Sequence, residues 1–99
     1  MQGHYAEAFD REMGCTAAEL LQWLPGASRG RPVVVAGDRA RVDIDGGALE
    51  LAWQTLPPRQ IALLRMPRLA VTFRFTGLDE ASRLAFMRYF DLYTQRGGG

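Results

Sequence analysis

The stretch that decides the fold is RLAVTFRFTGLDEASRLAFMRYFDLYT, residues 68–94. Every second residue from Leu69 to Phe75 is apolar, and this period of two predicts a strand with one buried face. Gly77 ends the strand, and Asp79 is placed to cap a helix that follows it. The helical residues expected to face the strand are Ala81, Ala85, Phe86, Tyr89, Phe90, Leu92 and Tyr93. Strand and helix together are therefore expected to form the core.

Length and composition predict one folded unit. A chain of 99 residues can bury one hydrophobic core but not two, and an apolar fraction of 47% is typical of a globular protein. We therefore expect a single α+β domain over residues 1–96. No apolar run approaches the roughly 20 residues that cross a bilayer, so no membrane partner is expected.

Residue usage also predicts where the protein resides. The only cysteine, Cys15, excludes an internal disulfide and favours a reducing compartment. Residues 1–12 include acids and lack the apolar centre of a secretory signal. All twelve basic residues are arginines, a bias that we attribute to a GC-rich bacterial genome. The expectation is a cytoplasmic bacterial protein.

The chain ends in Arg96 followed by three glycines, residues 97–99. A Gly-Gly end resembles that of ubiquitin-like and sulfur-carrier proteins, which implies activation of the terminal glycine by adenylation. A strand precedes the glycines in those families, whereas a helix is predicted here. We therefore interpret residues 97–99 as a helix cap and a flexible tail.

Two short helices are predicted before the sheet, over residues 3–13 and 16–24. Tyr5, Phe9 and Met13 recur every four residues, as on one face of a helix. Thr16 and Glu19 have the spacing of a capping box, which predicts the start of the second helix. The pair could be a helix-turn-helix DNA reader, but the second helix carries no basic residue for phosphate contacts.

Five strands are expected between these helices and the last one, over residues 33–35, 40–45, 48–55, 60–66 and 68–76. Residues 60–66 are apolar on both faces, which predicts a strand covered on both sides. Pro57 and Pro58 are expected to precede it and Pro67 to form the turn after it. Short connections favour an antiparallel meander. The predicted fold is therefore α+β, with two N-terminal helices, a five-stranded antiparallel meander and one C-terminal helix packed on the sheet.

No catalytic residue, metal site or cofactor is predicted. His4 and Cys15 would lie about 16 Å apart along a helix, too far for a base and its nucleophile. Asp43, Asp45 and Glu50 cluster around a hairpin, but we interpret them as solvated acids rather than a calcium site. No glycine motif that binds phosphate follows a strand.

The arginines are concentrated in the second half of the chain. Four arginines and no acid lie within residues 59–76. Arg65, Arg68 and Arg74 are the candidates for a site that binds a small anion or a protein partner. The interpretation that we favour is that they pair with acids on neighbouring strands, such as Glu50, or keep the sheet solvated. Nucleic acid is not the expected partner, since this face lacks aromatic residues and the whole chain carries only +1.

Two apolar surfaces are predicted to bind a protein. Leu64 and Met66 are expected on the sheet face away from the C-terminal helix, beside arginines. Leu84 and Met87 are expected to project from the polar half of that helix. Either surface would make a homodimer, and Leu84 and Met87 are the better candidates if the N-terminal helices cover the sheet.

These observations favour a non-catalytic binding or interaction module that acts through its sheet face. Its expected partner is a second copy or another protein. The alternative is an enzyme, or an accessory subunit of one, with a cleft of carboxylates and arginines.

Overall fold

The computed structural model describes residues 3–95, which form a five-stranded antiparallel sheet and two helices. In chain order the elements are β1 (Ala8–Met13), α1 (Ala17–Ala27), β2 (Val33–Ala36), β3 (Arg39–Ile44), β4 (Gly47–Ile61), β5 (Leu64–Thr76) and α2 (Glu80–Gln95). The α+β class, the antiparallel sheet and the C-terminal helix are confirmed. The helix count is wrong, because one helix precedes the meander instead of two. The predicted glycine tail lies outside the described residues.

The strand order across the sheet is β1-β5-β4-β3-β2. Strands β2 to β5 form the expected meander, in which each strand pairs with the next. β1 then closes the other side by pairing with β5, with Phe9 opposite Phe73 and Arg11 opposite Val71. The strand that begins the decisive stretch, β5, is therefore an interior strand of the sheet.

The helix predicted over residues 3–13 is wrong, because residues 8–13 form β1. A spacing of four residues places side chains on one side of a helix, but also on one side of a strand. Phe9 and Met13 do share a face, and Arg11 lies between them on that same inward face. Because Arg11 is charged, the residues of β1 do not alternate between apolar and polar, and the sequence does not show the period of two that predicts a strand.

α1 begins as predicted, with both hydrogen bonds of the capping box in place. The Glu19 amide donates to Thr16 Oγ1 at 3.1 Å, and the Thr16 amide donates to Glu19 Oε1 at 2.8 Å. The helix does not end at the Pro-Gly pair but includes Pro25 and continues to Ala27. Pro25 lacks an N–H, yet its carbonyl accepts from the Gly30 amide at 3.0 Å. The last turn of α1 therefore keeps a backbone hydrogen bond that closes it.

The separate strand predicted over residues 60–66 is also wrong. These residues form the end of β4, a turn at Ala62 and Leu63, and the beginning of β5. They are exposed rather than covered on both sides. A run that is apolar on both faces fits a hairpin tip as well as a buried strand, so periodicity alone does not separate the two.

Three prolines lie inside these two strands instead of ending them. Pro57 and Pro58 occupy an irregularity in the pairing, where β4 no longer has β3 beside it. Pro67 lies beyond the last residue of β5 that pairs with β1. Proline is tolerated where a strand has no second neighbour that needs its N–H.

Both helices pack on the same face of the sheet. The buried residues of α1 and α2 join one core cluster with the inward residues of the strands. The inward set predicted on β5, every second residue from Leu69 to Phe75, is buried as expected. Phe73 lies between two further rings, stacked on Phe9 at 4.8 Å and edge-on to Phe90 at 5.6 Å. The strand–helix contact is therefore the core that the sequence predicts.

The buried side of α2 differs from the prediction by a rotation of roughly 100°, or one residue. Its buried residues are Arg83, Phe86, Met87 and Phe90. Met87, predicted as an exposed interface residue, is 0% exposed, and Leu84 is half-buried against the core. Neither residue therefore provides the exposed helix surface that was predicted.

The rotation follows from a buried arginine. Arg83 is 9% exposed, and its guanidinium donates to the carbonyls of Tyr5 at 2.8 Å and Leu78 at 2.9 Å. These two hydrogen bonds offset part of the cost of burying the guanidinium. No helix within residues 3–95 is long and apolar enough to cross a membrane.

Candidate functional site

The sheet face opposite the helices is left uncovered by residues 3–95. We call it the outer face. Its side chains belong to the alternate positions of each strand: Val34 and Ala36 on β2, Arg39, Arg41 and Asp43 on β3, Glu50 and Ala52 on β4, Ala70, Thr72 and Arg74 on β5, and Asp10 and Glu12 on β1. The alternative that N-terminal helices cover this face is wrong, because one predicted helix is β1 and the other lies with α2.

The hairpin of β4 and β5 extends beyond the rest of the sheet. β3 pairs with β4 only as far as Ala52, and β1 pairs with β5 only as far as Leu69. Residues 56–68 therefore have only each other as strand neighbours. We call this segment the arm. Its three prolines lack N–H donors, so its free edges are poor templates for another strand.

Apolar side chains line one side of the arm and its tip. Leu64 faces Ile61 and Met66 faces Arg59 on the side that continues the outer face. Leu63, at the turn, is 98% exposed, and Leu64 is 66% exposed. Leu64 and Met66 thus lie on the face away from α2, as expected. Exposed aliphatic side chains grouped in this way are typical of a surface that binds a protein, a membrane or a ligand.

The three predicted binding arginines do not converge. Arg68 Nη2 donates to Glu12 Oε1 at 2.7 Å, and its Nη1 donates to the Pro57 carbonyl at 3.2 Å. The hydrogen bond from Arg68 lowers the pKa of the Glu12 carboxyl. Arg65 lies opposite Gln60 on the other side of the arm, while Arg74 lies opposite Glu50 on the sheet. A single anion could not contact all three.

A shallow groove of about 510 Å³ crosses the outer face near β2. Its apolar part is formed by small residues such as Val34, Ala36 and Ala52, and its rim by Arg39, Arg41, Glu50 and Arg74. Arg41 is shared between Asp43 at 3.3 Å and Glu50 at 3.4 Å. Arg39 and Arg74 form no ion pair within residues 3–95. The groove therefore offers uncommitted positive charge beside an apolar surface.

A second cavity, of about 630 Å³, lies between β1, α1 and the end of α2. There the Asp91 carboxylate accepts hydrogen bonds from the Tyr5 hydroxyl and from Arg11 Nη1, the latter at 2.7 Å. The Arg11 guanidinium also lies 5.1 Å from the centre of the Phe73 ring. This cluster is not predicted from the sequence, because a helix over residues 3–13 would place Arg11 on the side opposite Tyr5, Phe9 and Met13.

Two titratable side chains that line the cavity, Cys15 and Tyr5, are held in their protonated forms. Burial, and after it the Glu19 carboxylate, raise the pKa of the Cys15 thiol to about 11, so the thiol is protonated at neutral pH and is a weak nucleophile. Burial and the Asp91 carboxylate raise the pKa of Tyr5 as well. Both oxygens of Asp91 are engaged by Tyr5 and Arg11. The hydrogen bonds to Asp91 hold α2 against β1.

The carboxylates around the β3–β4 hairpin do not form a metal site. Within residues 3–95 no group of three or more histidine, cysteine, aspartate or glutamate side chains could hold an ion. Asp45 is at the turn, with its carboxylate 3.9 Å from Arg31, while Asp43 and Glu50 share Arg41. Arginines therefore compete for the oxygens that a cation would need.

Comparison with known proteins gives no match: no family model matches the chain, and neither a curated protein nor a solved structure is significantly similar to it.

Proposed function

We propose that this chain is a non-catalytic binding module that acts through its outer face and arm, with a second copy as the first partner to test. The observation that carries the proposal is the apolar strip of Leu64 and Met66, which continues the uncovered face out to the exposed Leu63. Burial of such aliphatic groups stabilises a complex by roughly 1.5–3 kcal/mol for each large side chain.

Charge supports a second copy in a two-fold arrangement. The arm carries Arg59, Arg65 and Arg68 and no acid. The sheet part of the outer face carries four acids, including Asp10 and Glu50, against three arginines. A two-fold axis parallel to the outer face and perpendicular to the strands would set the two outer faces against each other, with the arm of each copy over the acidic part of the other, which is the self-complementarity that such dimers need.

Light scattering after size exclusion tests the proposal, in a dilution series downwards from about 100 μM, the range in which weak dimers dissociate. We expect an average mass above the 11.0 kDa of the monomer at high concentration. Leu64→Arg should return it to the monomer mass, because the new charge would be buried among aliphatic groups. Leu92→Arg is the matched control, since Leu92 is exposed on α2 in the other layer.

Two outcomes would count against the proposal. A monomer mass at every concentration would remove the second copy as the partner. A dimer that Leu92→Arg dissociates and Leu64→Arg does not would place the interface on the helix layer instead.

A second candidate function is an enzyme or an accessory subunit, and the cavity lined by Arg11 and Asp91 is the observation in its favour. Arg88 and Trp23 also line it, so a small anion could reach a guanidinium and change the tryptophan emission. Titration of Trp23 fluorescence with phosphate and with citrate tests this function. Because Trp53 also emits, the titration uses Trp53→Phe. If the Trp23 emission does not change at the highest concentration of phosphate or citrate, the cluster of Arg11 and Asp91 has a structural role only.

A further inference from the structure

The two edges of the sheet differ in chemistry. The β1 edge carries three charged residues in sequence, Asp10, Arg11 and Glu12, and charges on an edge discourage pairing with another strand. The β2 edge, Val33–Ala36, carries no charge and no proline. Val34 is 65% exposed and Val35 is 47% exposed. Residues 3–95 supply no strand to its free side. Only one edge of the sheet is therefore suited to accept a strand.

The register of the β2–β3 hairpin shows which backbone groups point out of the free edge. The Asp43 amide donates to the Pro32 carbonyl at 3.1 Å, so that pair is a hydrogen-bonded one. Hydrogen-bonded and non-hydrogen-bonded pairs alternate along an antiparallel ladder. Val34, opposite Arg41, is therefore bonded to β3, while Val33 and Val35 are not. The N–H and C=O groups of Val33 and Val35 point outward, with the spacing that an added strand requires.

We propose that the free edge of β2 binds an extended acidic segment of a partner protein, which adds to the sheet as a sixth strand. Backbone hydrogen bonds to Val33 and Val35 supply the affinity, and alternate side chains supply the specificity. This edge is distinct from the strip on the arm, so the inference does not rest on the proposed function.

The chemistry of the two faces determines the pattern of the segment. On the core side its residues would lie beside Val33 and Val35, which favours apolar side chains. On the outer side they would lie beside Val34 and within reach of Arg39 and Arg41, which line the groove. Arg39 is exposed and has no ion pair within residues 3–95. A segment that alternates apolar and acidic residues satisfies both faces.

A second copy is a less suitable occupant of this edge. Pairing β2 with itself would join the same four residues, Val33–Ala36, on each side. It would also bring together two edges whose nearest charges, Arg39 and Arg41, are positive on both copies. A separate acidic chain gains from those charges instead.

A phage-displayed library of random peptides, panned on the full chain, tests the proposal. We expect the selected peptides to alternate acidic and apolar residues. Val35→Pro should weaken the best synthetic peptide by about tenfold or more, the equivalent of about 1.4 kcal/mol, because it removes one outward N–H and no bond to β3. Asp10→Pro is the matched control. The Phe75 amide donates to the Glu7 carbonyl, so the Asp10 N–H points outward from the other edge.

Arg39→Glu keeps the test decisive if Val35→Pro does not fold. It should weaken acidic peptides and leave the unfolding midpoint in urea unchanged, because Arg39 is exposed. Selection of no peptide, of peptides without acids, or of peptides insensitive to both variants would overturn the proposal, as would a dimer that Val35→Pro dissociates. Leu64→Arg should leave peptide binding unchanged, so failure here and failure of the outer-face proposal are separate results.

Discussion

Arg11 on β1 and Asp91 on α2 are joined by a hydrogen bond of 2.7 Å, although 80 positions separate them in the chain. Asp91 also accepts from the Tyr5 hydroxyl, so one carboxylate holds the N-terminal segment, the edge strand and the last helix together. Both charged side chains are largely removed from solvent. This relationship explains how an arginine can occupy the inward face of a strand.

Asp91→Ala should lower the free energy of unfolding by about 1–3 kcal/mol, the usual cost of leaving partly buried donors without an acceptor. Arg41→Ala removes two exposed ion pairs, to Asp43 and Glu50, and should cost less than about 1 kcal/mol. Urea unfolding of both variants provides the comparison. Equal costs would show that the Asp91 cluster is no stronger than a surface pair.

Phe73→Ala should cost about 3–5 kcal/mol, because Phe73 is fully buried between Phe9 and Phe90. Arg74→Ala, one residue along, lies on the outer face and should cost less than about 1 kcal/mol. Urea melts of the two variants check the order. A reversed order would move every residue of β5 to the opposite face.

Gly47→Ala should be strongly destabilising, because a Cβ at this position would lie 2.5 Å from the Thr76 carbonyl oxygen. Backbone atoms of β5 cannot move aside cheaply, so we expect a cost of about 1–3 kcal/mol or more. Gly14→Ala is the matched control, since a Cβ there meets nothing within 4 Å. Thermal melts of the two variants should differ clearly, and indistinguishable midpoints would contradict the close approach of β4 and β5.

Stability should fall as pH rises from about 9 to about 11. The Cys15 thiol has a pKa of about 11 when folded, against 9.0 for an ordinary thiol, so in this window the unfolded chain binds fewer protons than the folded one. The contribution is fully present below pH 9 and is lost as pH rises through 11. Tyr5, whose pKa is also raised, acts in the same direction.

Urea midpoints measured across this window check the alkaline effect. Cys15→Ser removes the thiol and should reduce the slope of stability against pH, while the part due to Tyr5 remains. A slope unchanged by the substitution would exclude Cys15 as its source.

The protein should bind nucleic acid no more tightly than the non-specific range of roughly 10⁻⁴–10⁻⁶ M. The outer face carries no aromatic residue on which bases could stack, and Arg68 is already engaged by Glu12. Titration of labelled DNA and RNA at about 0.15 M salt measures this. Sub-micromolar binding that Arg74→Ala weakens would contradict the prediction.

Elements whose signals are local can be predicted from the amino-acid sequence alone. The alternation from Leu69 to Phe75, the Asp79 cap and the Thr16–Glu19 capping box each specify a structure within a few residues. The structure confirms them: the Ser82 amide donates to Asp79 Oδ1 at 2.8 Å, which also lowers the pKa of that carboxyl. Such features depend on backbone groups only three or four positions away, so a linear pattern is sufficient to predict them.

Features that depend on a partner far along the chain could not be predicted in this way. β1 is a strand because Asp91 neutralises Arg11 on its inward face, and α2 is rotated because two carbonyls accept from Arg83. The prolines at 57, 58 and 67 stay within strands because those segments have lost their second neighbour. The outer face is uncovered because both helices pack on the opposite face, and the edge of β2 is free because β1 pairs at the other edge of the sheet. A buried charge or an unpaired N–H is stable or unstable according to its surroundings, and these are set by residues far along the chain.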